Sequence, residues 1–131
     1  MAMHVGIYRL TEGKLGGNMR GFKVLLLTTT GRKTGKVHTT PLGRFDRPGG
    51  FVIVASNGGQ ATNPSWYYNL KSNPKVTVQV LDRTVPATAT VLSGEARAQA
   101  WRQVIATAPS YAQYEKTTAR EIPLILLRPN P

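Results

Sequence analysis

The chain predicts an α+β fold: a small antiparallel barrel of about six strands with short helices packed outside it. Three observations predict it. Residues 22–56 hold three apolar or alternating runs separated by short glycine-containing turns, residues 75–92 hold two more, and a last apolar run at 122–128 follows two helical patterns. Strands joined by hairpin-length turns pair antiparallel, and curling the sheet into a barrel hides its edges.

The elements follow in order. FKVLLLTTT at 22–30 is an apolar, β-branched run that stops at Gly31, as a strand does. VHTTPLGRF at 37–45 alternates after the GRKTG turn and reads as a second strand. Pro41 lacks an N–H and belongs at an edge or a bulge. DRPGG at 46–50 is a turn, and FVIVAS at 51–56 is a third, buried strand. Asn63 is the expected cap of a short helix, WYYNLKS, with Pro64 in its first turn and Pro74 beyond its end. KVTVQV at 75–80 alternates strictly, and TVPATATVL at 84–92 returns antiparallel after the LDR turn.

Ser93 caps a helix running to about Thr107, with Glu95 in the first turn where the helix dipole favours a carboxylate. Ala98, Trp101, Ile105 and Ala108 form its expected buried stripe. SYAQYEKTT is a second short helical piece, and IPLILLR at 122–128, apolar on both faces, is a central closing strand. No GxGxxG leads from a strand into a helix, which disfavours a dinucleotide-binding βαβ fold. At 131 residues the whole chain makes one domain, with residues 1–20 a candidate flexible N-terminal segment.

Composition narrows the function. With no cysteine, disulfides, thiolate nucleophiles and cysteine-held metals are excluded. The N-terminus lacks the apolar core of a secretory signal and no run is long enough to span a bilayer, so a cytoplasmic location is expected. Seventeen basic against six acidic residues give a net charge of +11, a surface that attracts polyanions. Between Glu12 and Asp46 there is no acid, while Lys14, Arg20, Lys23, Arg32, Lys33, Lys36 and Arg44 all fall there.

Gly31-Arg-Lys-Thr-Gly35-Lys36 is not a P-loop: three residues separate its glycines, Val37 follows the lysine, and a strand comes next. It keeps the parts of an anion site. Glycines let successive N–H groups face one concavity, Arg32, Lys33 and Lys36 supply charge, and Thr34, Thr39 and Thr40 add hydroxyls. An ordinary basic hairpin uses the same residues, and the turn alone does not choose between the two. His38 stands alone on the second strand, where a histidine is more often a hydrogen-bonded structural residue than a catalyst. Scattered acids and two distant histidines disfavour a metal centre or a paired-carboxylate hydrolase. In SWYYNL, Trp66 and Asn69 share one helical face and Tyr67 takes another, so these aromatics are core, or a wall over a planar ring beside ASNGG at 55–59. Tyr111 and Tyr114, three apart, could cover a flat ligand and present phenol hydroxyls. An enzyme so built must borrow its chemistry from a cofactor.

LLLTTTGRKTG, PL at 41–42, VIVASNGG, NPSWYYNLKSNPKVTVQV and PSYAQYEKTTAREIPLILL together resemble the deazaflavin-dependent nitroreductase family of actinobacteria, from about Phe22 to Leu127. The resemblance implies a split β-barrel related to FMN-binding oxidoreductases. It also implies coenzyme F420, an 8-hydroxy-5-deazaflavin whose phosphodiester tail ends in oligoglutamate. Carried over, Arg32, Lys33 and Thr34 hold the phosphate and acidic tail, and His38, Thr39, Thr40, Pro41 and Leu42 line the next part of the site. Val54, Ala55, Ser56 and Asn57 run beside the ring, and Ser65, Trp66, Tyr67, Tyr68 and Asn69 complete the pocket. Tyr111 and Tyr114 position the acceptor, with Tyr111 a candidate proton source and Ser56 a hydrogen-bond donor to the acceptor's oxygen.

The implied reaction is hydride transfer from reduced deazaflavin to a quinone, a conjugated carbonyl or a nitroaromatic small molecule. His38 stands where such relatives commonly carry arginine, and Gly43 where nitroimidazole-reducing members carry tyrosine, which turns the expectation toward quinones. An FMN enzyme on the same barrel and a non-catalytic F420 carrier are the alternatives. A nucleic-acid-binding barrel is disfavoured because no stacking aromatics interleave with the basic turn. Relatives can use the N-terminal region for contact with the inner face of the membrane, but MAMHVGIYRLTEGKLGG carries little apolar surface. Oligomeric state is left open.

Overall fold

The structure, a computed structural model, describes residues 18–19, 22–57, 60–118 and 120–130. The N-terminal segment up to Gly17 and the Gly58–Gly59 pair of the ASNGG loop lie outside the described residues. In chain order the strands are β1 (Asn18–Met19), β2 (Phe22–Thr30), β3 (Val37–Gly43), β4 (Phe45–Arg47) and β5 (Gly50–Val54). There follow α1 (Ser65–Ser72), β6 (Lys75–Val80), β7 (Arg83–Val91), α2 (Gly94–Thr107), α3 (Tyr111–Thr117) and β8 (Leu124–Pro129).

Every strand pairing is antiparallel, and the sheet runs β3-β2-β6-β7-β8-β5-β4, with β1 on the start of β2. The two end strands, β3 and β4, are separated in sequence by Arg44 alone. The sheet therefore curls until its ends meet through the chain instead of through a ladder, and the result is a split barrel. Arg44 pins that corner. Its N–H donates to the Lys23 carbonyl at 2.8 Å, its Nη1 to the Val24 carbonyl at 2.7 Å, and its Nε to Asp46 Oδ1 at 3.1 Å.

About six strands were expected, and eight segments form the sheet. The run 37–45 breaks at Arg44, and DRPGG is only partly a turn. Asp46 pairs with Phe51 and Arg47 with Gly50, which leaves Pro48–Gly49 as a two-residue connection. Gly49 has φ +79, and proline followed by a left-handed glycine suits a type II turn. Pro41 sits on β3, which pairs with β2 alone among the described residues, so the missing N–H costs the sheet nothing on its other side.

Strand alternation sorts the core into two. Leu25, Leu27, Val78, Ile53, Ile125 and Leu127 point into the barrel. Phe45, Val52, Val54 and Leu124 point outward, against Ala100, Trp101 and Val104 of α2. The helices differ from expectation in three ways. First, α1 does not merely flank the barrel; its Trp66, Tyr67 and Leu70 join the inner cluster. Second, the residue capping α1 is Pro64, because the side chain of Asn63 is engaged elsewhere by Arg120. Third, the buried stripe of α2 is Ala100, Trp101 and Val104, continued by Ala108, while Ala98 and Ile105 are only half-buried. Arg97 extends this face by laying its guanidinium over the Trp101 ring, 5.4 Å from the centroid, and donating to the Ile122 carbonyl at 2.7 Å.

Candidate active site

The β2–β3 turn is shaped by its glycines for different reasons. Gly35 has φ +75, a left-handed conformation. Gly31 is crowded instead: a Cβ there would lie 3.0 Å from the Lys36 carbonyl oxygen and 3.1 Å from His38 Nε2. The turn closes by Gly31 N–H to the Lys36 carbonyl at 2.7 Å and Gly35 N–H to the Gly31 carbonyl at 2.9 Å. The Lys36 N–H donates to Thr34 Oγ1 at 3.3 Å. Arg32, Lys33 and Lys36 remain exposed on this frame.

Helix α1 holds the turn in place. The buried Asn69 Oδ1 accepts both the Arg32 N–H and its Nη1, each at 3.2 Å, and Asn69 Nδ2 donates to Thr29 Oγ1 at 3.4 Å. The Arg32 guanidinium also lies 5.1 Å from the centre of the Tyr68 ring.

A cavity of about 820 Å³ opens beside this turn, lined by Arg32, Lys33, Thr34, Lys36 and His38 on one side and Ser65, Trp66 and Asn69 on the other. A second, of about 400 Å³, continues it. The two share Thr40 and Trp66, so they are chambers of one cleft. Pro41, Leu42 and Gly43 of β3 form one wall of the second chamber; Val54, Ser56 and Asn57 beyond β5 form another, and Tyr111 of α3 closes it. Among the described residues no aspartate or glutamate lines either chamber. The first carries three cations, and the second is uncharged, its Pro41, Leu42, Val54 and Trp66 walls interrupted by the polar groups of Thr40, Ser56, Asn57 and Tyr111.

Four predicted site residues stand outside the cleft lining. Ala55 and Tyr67 are buried in the inner core cluster. Tyr68 is partly exposed under Arg32. Tyr114 meets Tyr111 edge-on, with ring centres 5.5 Å apart. Tyr111 in turn packs edge-on against Phe45 at 5.8 Å. Burial raises the Tyr111 phenol above the ordinary tyrosine value, and the neighbouring Tyr114 adds to the rise. Tyr111 is thus kept protonated, able to donate.

Sequence reasoning missed Arg120. It lies between α3 and β8, and its guanidinium donates to the Ser56 carbonyl at 2.8 Å, the Gln60 carbonyl at 3.0 Å and Asn63 Oδ1 at 2.6 Å. Its partners are mostly backbone carbonyls, which no residue pattern advertises. Only its position in the TTAREIP stretch, just before the last strand, could have drawn attention to it.

A cationic chamber leading to an uncharged one walled by Trp66, Leu42 and Val54 suits a ligand with an anionic handle and a planar end. The model of one protein family, described as F420H(2)-dependent quinone reductase, matches residues 1–129. The chain belongs to the F420H(2)-dependent quinone reductase family. It is 38% identical over 132 residues to an F420H(2)-dependent quinone reductase of Mycobacterium tuberculosis, covering 97% of this chain and 88% of that protein. Among solved structures it resembles an F420-H2 dependent reductase, FDR-A, with TM-score 0.74 and 42% identity over 80% of this chain and 93% of the other. A second, described as a domain-swapped dimer, matches with TM-score 0.78 and 37% identity over 97% and 95%. By membership the chain is an F420-dependent oxidoreductase, and its curled sheet is the split barrel expected of such a family.

The lining fits that cofactor. Among the described residues three cations and no acid face the chamber that would take phosphate and oligoglutamate, and the uncharged chamber beyond Trp66 would take a flat ring. Among the described residues no helix is long and apolar enough to cross a membrane. No group of three or more potential metal ligands occurs among them either.

Proposed function

We propose that this protein reduces small quinones and related conjugated carbonyl compounds, holding F420 across the two chambers. The observation that carries the reading is the joined cleft, cationic at the β2–β3 turn and uncharged beyond Trp66, with no carboxylate in its lining among the described residues. When bound, the reduced deazaflavin supplies a hydride in one two-electron step.

The residues of the chain do the rest. Arg32, Lys33 and Lys36 bind the phosphate and glutamates by charge-assisted hydrogen bonds, which are the strong ones. Thr34, Thr39 and Thr40 add uncharged donors along the path. Trp66 walls the junction, and Pro41, Leu42 and Val54 exclude water from the ring's neighbourhood. Ser56 and Tyr111 face the second chamber, where they orient the acceptor's oxygen, and the Tyr111 hydroxyl is the proton donor to it. Ala55, Tyr67 and Tyr68 serve from behind, as packing for the wall and for Arg32.

The test is a fluorescence titration with oxidised F420 at two ionic strengths, followed by a screen of menadione, simple enones and a nitroimidazole with reduced cofactor. Micromolar binding that weakens with salt, and turnover of menadione, are expected. Tighter binding of FMN than of F420, or binding indifferent to salt, defeats the reading.

A further inference from the structure

The second chamber is bounded by two segments that are far apart in sequence. One is the stretch after β5, which contributes Ser56 and Asn57 at its start and Pro64 at its end. The other is α3, which contributes Tyr111. Arg120 follows α3 and makes three hydrogen bonds, all to the first segment, at Ser56, Gln60 and Asn63. None of those acceptors is a carboxylate. The loop is further closed by Asn57 Nδ2 donating to the Thr62 carbonyl at 2.9 Å and the Gln60 N–H to the Asn57 carbonyl at 3.2 Å. Asn57 takes a left-handed φ of +50, a conformation that asparagine adopts readily in turns. Immediately upstream, the Ala55 N–H donates to the Pro123 carbonyl at 3.0 Å, so the strap and the chain around Arg120 are tied at two adjacent places.

We propose that Arg120 is a positioning residue for the acceptor chamber: its guanidinium ties Ser56, Gln60 and Asn63 to the chain that follows α3 and so sets where Ser56 stands relative to Tyr111. The proposal rests on the functional reading above. A planar fork with donors in three directions can serve three separated oxygens at once; a lysine ammonium on its flexible stem cannot reproduce that geometry. Loss of the fork leaves the chamber's lining present but loosely placed. The cationic chamber is built from other residues and is braced by Asn69, so the cofactor's handle is unaffected.

The experiment compares wild type with Arg120→Lys, Asn63→Ala and the double variant. Acceptor kinetics with menadione, F420 affinity by fluorescence, and amide hydrogen exchange of the cofactor-free protein are read together. A misplacement of about an ångström can cost up to roughly 100-fold, so Arg120→Lys should lower kcat/KM about tenfold or more, with a smaller loss of F420 affinity because the charged handle is held in the other chamber. Exchange should quicken across residues 55–63 and stay unchanged in β2 and α1. Asn63→Ala should shift kcat/KM in the same direction by less, and add nothing to Arg120→Lys.

An unchanged kcat/KM overturns the proposal. So does an equal loss of F420 affinity, or a rise in exchange throughout the protein, since either marks a general structural role. Should wild type bind no F420, the functional reading itself fails; the exchange contrast needs no cofactor and tells that failure apart.

Discussion

Asn69 Oδ1 accepts two hydrogen bonds from the same residue, Arg32, one from its backbone N–H and one from its guanidinium, each at 3.2 Å. Asn69 is 5% exposed and Arg32 is exposed, so these bonds are shielded on the Asn69 side, and they fix where the cationic turn stands relative to α1. Asn69→Leu leaves the Arg32 N–H and the Thr29 hydroxyl with a lost partner, a change that costs about 1–3 kcal/mol for a buried polar group. We expect lower stability in urea and weaker F420 binding. Asn69→Asp separates the two effects: it keeps an acceptor for Arg32 but places an anion in the chamber's lining. Its binding should fall further than its stability, and an Asn69→Asp protein that binds F420 as wild type does contradicts the anion-cradle assignment.

Charge at the turn should matter more than charge elsewhere. Lys33 lines the cationic chamber, whereas Lys116 stands exposed in the last turn of α3. Hydrogen bonds to charged groups are worth about 1.5–3 kcal/mol, so Lys33→Ala should weaken F420 binding about tenfold or more. Lys116→Ala should change it less than about twofold. The salt dependence of affinity should also flatten for Lys33→Ala alone. Equal losses for the two variants dismiss the cradle.

Gly43 leaves room in the acceptor chamber. A Cβ there would stand 3.6 Å from the Tyr111 hydroxyl and 3.9 Å from the Lys23 carbonyl, ordinary contact distances. Gly43→Ala is therefore tolerated, and Gly43→Leu should fold while its branched end occupies the chamber. The expected result is a KM for menadione raised about tenfold, in line with a loss of about 1–3 kcal/mol in pocket fit, with a smaller loss of F420 affinity. Gly50 behaves differently, because a Cβ there would collide with the Leu127 carbonyl across the β5–β8 ladder. Gly50→Ala should fail to accumulate as folded protein.

Tyr111 gives a pH signature. Its folded-state value lies above the ordinary tyrosine value of 10.0, through burial first and Tyr114 second. A raised folded value means that the native state holds the proton more firmly than the unfolded chain. Its contribution to stability is complete below the unfolded value of 10.0 and is lost as pH rises through the folded value. Tyr111→Phe cannot ionise, so its stability should decline less than that of wild type above pH 10, as followed by thermal melts. At neutral pH the same variant should reduce kcat with menadione by about 10²–10⁴, the usual range for a lost proton donor. An unaltered kcat relocates the proton source to solvent.

The strands were legible where burial imposes a simple period. β2 and β6 have the bounds that FKVLLLTTT and KVTVQV announce, and Pro41 lies at the free side of β3 as its missing N–H requires. The cationic turn and the Trp66–Asn69 face were likewise readable, since side-chain type and helical spacing determine both. What escaped depended on distant backbone. The break at Arg44 is set by carbonyls of Lys23 and Val24, and the displacement of Asn63 from its cap is set by Arg120, fifty-seven positions on. The α2 stripe shifted because the arginine stem at 97 covers Trp101, a use of a charged residue that an apolar periodicity ignores.

The two chambers have different ancestries in the chain. One is drawn almost wholly from a single hairpin and the helix that braces it; the other is assembled from the far end of β3, the exit of β5, a strap and α3. Lineages descended from such a barrel can therefore diversify in what they reduce through changes at Gly43, Ser56 or the strap, while inheriting the same electron carrier unchanged.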